Sequence, residues 1–557
     1  MNLRDKIWDI LILIFILILV TWGIKRAKYD LRWSAWALGD AQNLNAAIHF
    51  SEEGFKEHHF LPYYHAGFLG KSFGSESLTG YYTRYPPFSP VFLGIQMKWF
   101  GNNRTTLKIT TVIVSGLAIL FSYLMFSLLF KKRIAFFSSI FIGSSIGFLQ
   151  FTDCLCSYMY SEFFRFTILF FFLLSEKKKD QPLKSSLALI LTWVFLFFES
   201  SNSLDYFLFF PLFFILYYIF YYPKGQLPLK KLFFLLSAPL LGYGLHFLNV
   251  TLALQQYGES GSSTFLKGFL EKTAPFHNGP FSVFKFIFYF LKTINSRMIH
   301  DNFGFGFGQV FFMTVLIYLL NKFADTRNSL RESYSKFSTT QILLIFGVPS
   351  ISWWVVFSNH AASFFYTPMH IFPFVGLLFG ICIHYLIELA QKNTKTIRMM
   401  ALGVLLGLII RPLFKTTQYL LRYPNLLDPS KNVTLGELQG FSREKIEDMI
   451  LLSQSLNNLT NKGDIIIVPE SISSHFFEYY SQRRMDGYGS ESMEDLKRKI
   501  EEINRYKETG AKKFRIFNPN LKLFCLLKND SPLLEFVSTR YKVISPLAEN
   551  WTLFKII

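Results

Sequence analysis

Cysteine is scarce in this 557-residue chain, with only Cys154, Cys156, Cys382 and Cys525. No CxxC pair occurs among them, so neither a disulfide framework nor a thiolate metal site is expected. Acids are outnumbered, 38 Asp and Glu against 57 Lys and Arg, giving a formal net charge of +19. The excess forms no basic stripe interleaved with aromatics, and zinc-finger spacing is missing, so nucleic acid is excluded as the expected partner. No internal repeat or low-complexity segment is found. The first apolar run, Ile10 to Val20, lacks a small-x-small cleavage site and continues Thr-Trp-Gly-Ile-Lys-Arg. It reads as a retained membrane span.

What the chain does have is apolar mass: 51% hydrophobic residues, 18% aromatic, 66 of them Phe. A span needs ~20 mostly apolar residues to cross ~30 Å of hydrocarbon. Eleven segments are expected to do so, near 7–24, 107–130, 134–151, 162–176, 185–199, 206–222, 232–254, 303–321, 341–357, 368–390 and 398–414. Backbone satisfaction inside lipid makes them helices. The Phe load reads as lipid-facing and packing surface.

Lys and Arg cluster in alternate short loops: Lys131 to Arg133, Lys177 to Lys184, Lys224 to Lys231 and Lys392 to Arg398. The loops at 152–161, 200–205 and 358–366 have none. Positive-inside therefore predicts a cytoplasmic N-terminus, against the contrary vote of Lys25, Arg26 and Lys28. Residues 1–414 form the expected transmembrane part, and its first loop, 25–106, faces away from the cytoplasm. Residues 415–557 form an expected extracytoplasmic α/β domain, with strands at 464–468, 513–517, 522–527 and 551–556. A capping start at Ser492 opens its helix. An apolar helix at 281–293 is expected to lie along the interface.

Asp40 follows the first span by about fifteen residues, in Trp36-Ala-Leu-Gly-Asp40. A carboxylate there is suited to accept a proton from a hydroxyl. Gly-Asp before an apolar run is also a helix N-cap signature. Farther on, Tyr81-Tyr82-Thr83-Arg84-Tyr85-Pro86-Pro87 offers donors for a phosphate on a proline-stiffened segment. Its blander reading is a rigid turn with Arg84 at lipid headgroups. Glu162 and Asp153 lie at far-side span ends, where Glu162 also reads as simply neutralised by Arg165 one turn away. Glu199 and Asp205 bracket a basic-free loop, and Asp205 also reads as a loop holder. His49, His58, His59 and His65 crowd the first loop and read as exposed or headgroup-facing. His360 stands in a loop without Lys or Arg and suits a phosphate contact.

Together these features resemble the GT-C glycosyltransferases that use polyprenyl-phosphate sugars, especially the protein mannosyltransferase and aminoarabinose transferase group. The likeness rests on Asp40 early in the first far-side loop and on Arg84-Tyr85-Pro86-Pro87 near its end. It rests also on the series of short loops, on His360 followed by Tyr366, Pro368 and Pro373, and on Tyr479 to Arg483 and Thr509 to Phe514. The family's Asp-Glu pair is Asp40-Ala41 here. The resemblance implies a polytopic GT-C-like fold and inverting sugar transfer from a polyprenyl phosphate to a glycan, lipid or protein hydroxyl. In it Asp40 would be the base and Glu162 a second acid, with Asp153 and Asp205 as secondary acceptor-side acids. Arg84, Tyr82, Tyr85 and His360 would hold the departing phosphate. No cofactor is required on that reading, and a divalent cation is compatible with it. The expected location is a bacterial inner membrane. The rival readings are a polysaccharide polymerase or ligase, a lipid-linked-sugar transporter, and a non-catalytic scaffold.

Overall fold

The computed structural model describes residues 3–31, 36–66, 81–83, 85–222, 227–255, 283–323, 337–358, 361, 366–392, 395–422, 443–461, 464–469, 475–488, 492–510, 522–529, 531–547 and 551–556. The chain is a multi-pass membrane protein. Among the described residues seven helices are long and apolar enough to cross a bilayer, or eight when one bent pair is taken as a single span.

The order begins α1 (Leu3–Ala27), α2 (Ala37–Glu52), α3 (Phe88–Phe100), α4 (Arg104–Leu129), α5 (Lys132–Gly143), α6 (Ile146–Phe151) and α7 (Tyr158–Lys177). It continues α8 (Pro182–Ser200), α9 (Phe209–Tyr221), α10 (Leu229–Gln255), α11 (Val283–Arg297), α12 (Phe307–Phe323), α13 (Thr339–Val356), α14 (Phe372–Lys392) and α15 (Lys395–Arg422). A helix stands at each of the eleven expected spans, but not each reaches full length. The segment expected as one span at 134–151 is broken: α5 has 12 residues and α6 has 6. Ser145 is the cause, since its hydroxyl accepts the Phe148 N–H at 3.3 Å and starts a new helix. The helix expected at 281–293 is present as α11. It meets α12 through a bend of 87°.

Contacts sort the loops to two ends. At one end Asp9 of α1 takes Lys132, and Arg133 bonds Glu388 (2.8 Å) and His384. Glu176 at the foot of α7 meets Lys179 and Lys231. These are the basic loops. At the other end, Asp153 in the α6–α7 turn receives Arg26 from α1 (2.7 Å) and Lys108 from α4 (3.3 Å), all three buried. Arg26, one of the three cations that argued for the reverse orientation, is thus committed to a carboxylate.

Between the ends, aromatic rings fill the bundle. Phe172, Phe213, Phe214 and Tyr218 are almost wholly buried, and Phe141 stacks on Phe379 at 4.4 Å. Much of the Phe content is therefore core. Close helix approach needs glycine at Gly94, where a Cβ would lie 2.8 Å from Phe50 Cβ. This lets α3 press against α2.

After α15 come α16 (Arg443–Leu459), α17 (His475–Ser481), α18 (Met493–Gly510), α19 (Leu534–Ser538) and a five-stranded sheet. Its strands are β1 (Ile465–Pro469), β2 (Arg484–Tyr488), β3 (Leu523–Lys528), β4 (Lys542–Leu547) and β5 (Trp551–Lys555), in the order β2-β1-β3-β5-β4. The β2/β1 and β1/β3 pairs are parallel; β5 runs antiparallel to β3 and β4. Strands β2 and β4 were not expected from the sequence. Each lies at a sheet edge and carries polar residues that mask the apolar signal. The strand expected at 513–517 lies outside the described residues. Ser492 does open α18, its hydroxyl accepting the Asp495 N–H.

Glu478 on α17 fastens this region to the first loop. Its buried carboxylate accepts from the Ala66 N–H (3.3 Å) and the Met485 N–H (2.9 Å), and lies 3.2 Å from His65 Nδ1. Nearby, Arg484 donates to the Tyr63 hydroxyl at 2.7 Å. Removing the acceptor leaves buried donors unpaired at about 1–3 kcal/mol each. Glu478→Ala is therefore expected to make the first loop cleave several-fold faster in limited proteolysis, with overall helicity unchanged.

Candidate functional site

Helix α2 begins at an N-cap of Trp36, which makes no side-chain cap. Asp40 therefore sits inside the first turn and not at the N-cap, so the N-cap reading of it is set aside. Its carboxylate is fully buried and points at the α6–α7 turn, where Oδ1 accepts the Leu155 N–H at 2.7 Å. The same oxygen lies 3.1 Å from Cys154 Sγ. Cys154 and Cys156 are joined by a disulfide, contrary to the expectation drawn from the missing CxxC. A tight turn brings their Cα atoms within 5.3 Å.

One helical turn before Asp40, Trp36 stacks on Tyr158 (5.2 Å between centroids, 7° between planes) and on Tyr366 (5.7 Å). Tyr366 in turn shares a hydrogen bond with Tyr85. The Tyr85 hydroxyl donates to Asp205 Oδ1 over a long 3.5 Å, and its ring lies parallel to Tyr82 at 6.2 Å. Tyr82, Tyr85 and Asp205, three of the expected site residues, are thus brought together beside the Asp40 helix. Burial first, and the Asp205 carboxylate second, push the Tyr85 phenol well above its ordinary pKa. It remains a hydrogen-bond donor across the neutral range.

Glu162 is buried on α7 and accepts from Arg165 and from the Tyr206 hydroxyl. Arg165 also donates to the carbonyls of His370 (2.9 Å) and Met369 (3.2 Å) and covers the Tyr206 ring at 4.5 Å. The expected alternative, a neutralised pair, is realised. The pair is also not isolated: Glu199 lies within electrostatic reach of Asp205, Glu162 and Arg165. Asp153 is held apart, in the triad with Arg26 and Lys108. Arg84 and His360 lie outside the described residues.

The histidine expectation needs correction. His49 and His58 are almost fully buried, and His65 is turned towards Glu478. His49 Nδ1 and His58 Nε2 lie 2.8 and 2.9 Å from the two oxygens of Glu53. Burial opposes the Glu53 charge, but the hydrogen bonds from these imidazoles outweigh it and hold the carboxyl at about 2.

No family profile and no curated protein matches the sequence. Solved structures do match. ArnT from Cupriavidus metallidurans bound to undecaprenyl phosphate aligns at a TM-score of 0.58 and 12% identity, covering 99% of this chain and 98% of that one. Its apo state gives 0.56 and 13%, covering 100% and 98%. The chain has the GT-C fold. The archaeal oligosaccharyltransferase AglB from Archaeoglobus fulgidus, in complex with an inhibitory peptide and a dolichol-phosphate, aligns at 0.54 and 12% identity. That match covers 99% of this chain and 74% of AglB.

Within this GT-C fold, sequence reasoning passed over Trp36 and Tyr158 at the aromatic wall and underrated Glu199. An aromatic four residues before an acid is visible at both Trp36–Asp40 and Tyr158–Glu162. That spacing puts ring and carboxylate on one helical face, and it was the available signal.

Proposed function

We propose that the chain is a membrane glycosyltransferase that moves a sugar from a polyprenyl phosphate to a hydroxyl acceptor with inversion. The observation that carries the reading is Asp40: a buried carboxylate aimed by the Leu155 N–H, one turn from an aromatic wall, in a chain of GT-C fold. The undecaprenyl phosphate bound to ArnT supports the donor class.

In the reaction, Asp40 takes the proton of the acceptor hydroxyl as that oxygen bonds to the anomeric carbon. The bond from that carbon to the phosphate oxygen breaks, and its electron pair leaves with the polyprenyl phosphate. Arg84 and His360 are assigned to that phosphate by their chemistry and by the sequence resemblance. Tyr82 and Tyr85 add hydroxyl donors. Glu162, fixed by Arg165 and Tyr206, and Asp205 shape the acceptor side. The reaction as written balances without a cofactor. The basic-loop end is assigned to the cytoplasm, so the Asp40 end works outside it on a donor already carried across. Residues 1–414 serve as the catalytic part and 415–557 as an extracytoplasmic α/β domain; an inner bacterial membrane suits both.

The test is transfer itself. Purified protein with radiolabelled polyprenyl-phosphate hexoses and pentoses and a membrane extract should release label from the lipid into an acceptor. Label that remains on the lipid with every donor overturns the reading.

A further inference from the structure

The first loop carries a second constellation that sugar transfer does not use. His49 and Glu53 are four apart at the end of α2, so both side chains project from one helical face. His58 follows five residues later. Between the two, Gly54 takes a φ of 110° and turns the chain, and His58 faces Glu53. One ligand-type atom from each residue lies within 4.8 Å of the others, with His49 and His58 buried and Glu53 partly so.

We propose that His49, Glu53 and His58 bind one divalent transition-metal cation of the zinc class. Two imidazoles and a carboxylate are a donor set such ions take at about 2.0–2.2 Å, with a further position left for water or another ligand. The arrangement around the rings fits that role. His49 Nε2 faces the His65 carbonyl at 2.8 Å, and because a carbonyl only accepts, Nε2 carries the proton. Once the ring gives up its other proton, as metal binding requires, Nδ1 presents its lone pair to a cation held between it and Glu53. A ligating histidine is ordinarily held by just this kind of outward N–H to a carbonyl. On the other ring, His58 Nδ1 lies 3.4 Å from the Tyr81 hydroxyl, leaving Nε2 as the inward atom. Glu53 turns one oxygen to each ring.

The walls are apolar and tight. Phe50 meets His58 edge-on at 5.8 Å, and Tyr63 meets His49 edge-on at 5.2 Å. Tyr63 and Tyr81 also form a strand-like bridge. A cation here would therefore tie the end of α2 to the turn at 54–60 and to the Tyr63–Tyr81 bridge in one step. The other close group of ligand-type atoms among the described residues, Asp40 with Cys154 and Cys156, has its sulfurs engaged in a disulfide.

Tag-free full-length protein in detergent, stripped with a chelator and desalted, should take up one equivalent of zinc and show a raised apparent Tm. Cobalt in place of zinc should give the visible absorption of a nitrogen- and oxygen-ligated low-coordinate site. Glu53→Gln and His58→Gln should each weaken zinc binding at least tenfold while far-UV circular dichroism stays the same. Zinc uptake that is equal in wild type and Glu53→Gln overturns the proposal. So does wild-type protein that binds no zinc after desalting and shows no cobalt spectrum, a result that stands even where the variants fail to fold.

Discussion

Asp40→Asn is expected to reduce sugar transfer by about 10²–10⁴-fold, the range a positioned general base contributes. The expectation separates chemistry from architecture. Asparagine keeps an oxygen that can accept the Leu155 N–H, so the link from α2 to the α6–α7 turn survives. It loses the capacity to take a proton. The loss should therefore fall on the maximal rate with little change in the half-saturating donor concentration, and the apparent Tm should stay within a degree or two. Release of label from the lipid measures the first and thermal unfolding in detergent the second. Asp40→Asn protein that transfers at the wild-type rate removes Asp40 from the role of base.

Asp153→Ala should have the opposite profile. The carboxylate receives two buried cations from two different helices, Arg26 on α1 and Lys108 on α4. Deleting the anion leaves both charges without it, and breaking a buried pair in this way costs about 3–5 kcal/mol. The expected result is a fall of several degrees in apparent Tm and poor recovery from the membrane. The triple variant Arg26→Met, Lys108→Met, Asp153→Leu should regain much of that stability, because it removes the orphaned charges along with their partner. If Asp153 instead oriented the acceptor, Asp153→Ala would keep its Tm and raise the acceptor concentration needed for half-maximal rate.

The sequence reported the spans well because continuous apolar runs need no tertiary information: α1, α4, α10 and α14 lie where hydropathy puts them. It failed where a single polar side chain re-routes the backbone, as Ser145 does between α5 and α6. The two roles open for Asp40 could not be separated from spacing, since either follows from Gly39-Asp40. Only the helix start at Ala37 and the distant Leu155 N–H distinguish them. The acids expected on the acceptor side show the same limit. Asp153 and Glu162 are nine residues apart, yet one is absorbed by Arg26 and Lys108 and the other faces Arg165 and Tyr206. Those partners come from elsewhere in the chain or from helical phase. The histidines were misjudged for a related reason. His49 and Glu53 advertise themselves by spacing, but His58 joins them through the turn that begins at Gly54, φ 110°, and spacing alone does not say that this turn closes back on Glu53.

The seat that Glu478 provides for His65 and Ala66 spans more than four hundred positions of chain. A ribosome makes the loop early and its clasp late, so His65 and Ala66 can meet Glu478 only after residue 478 has been made. A chain stopped before residue 478 is expected to insert its early spans yet leave His65 and Ala66 without this seat.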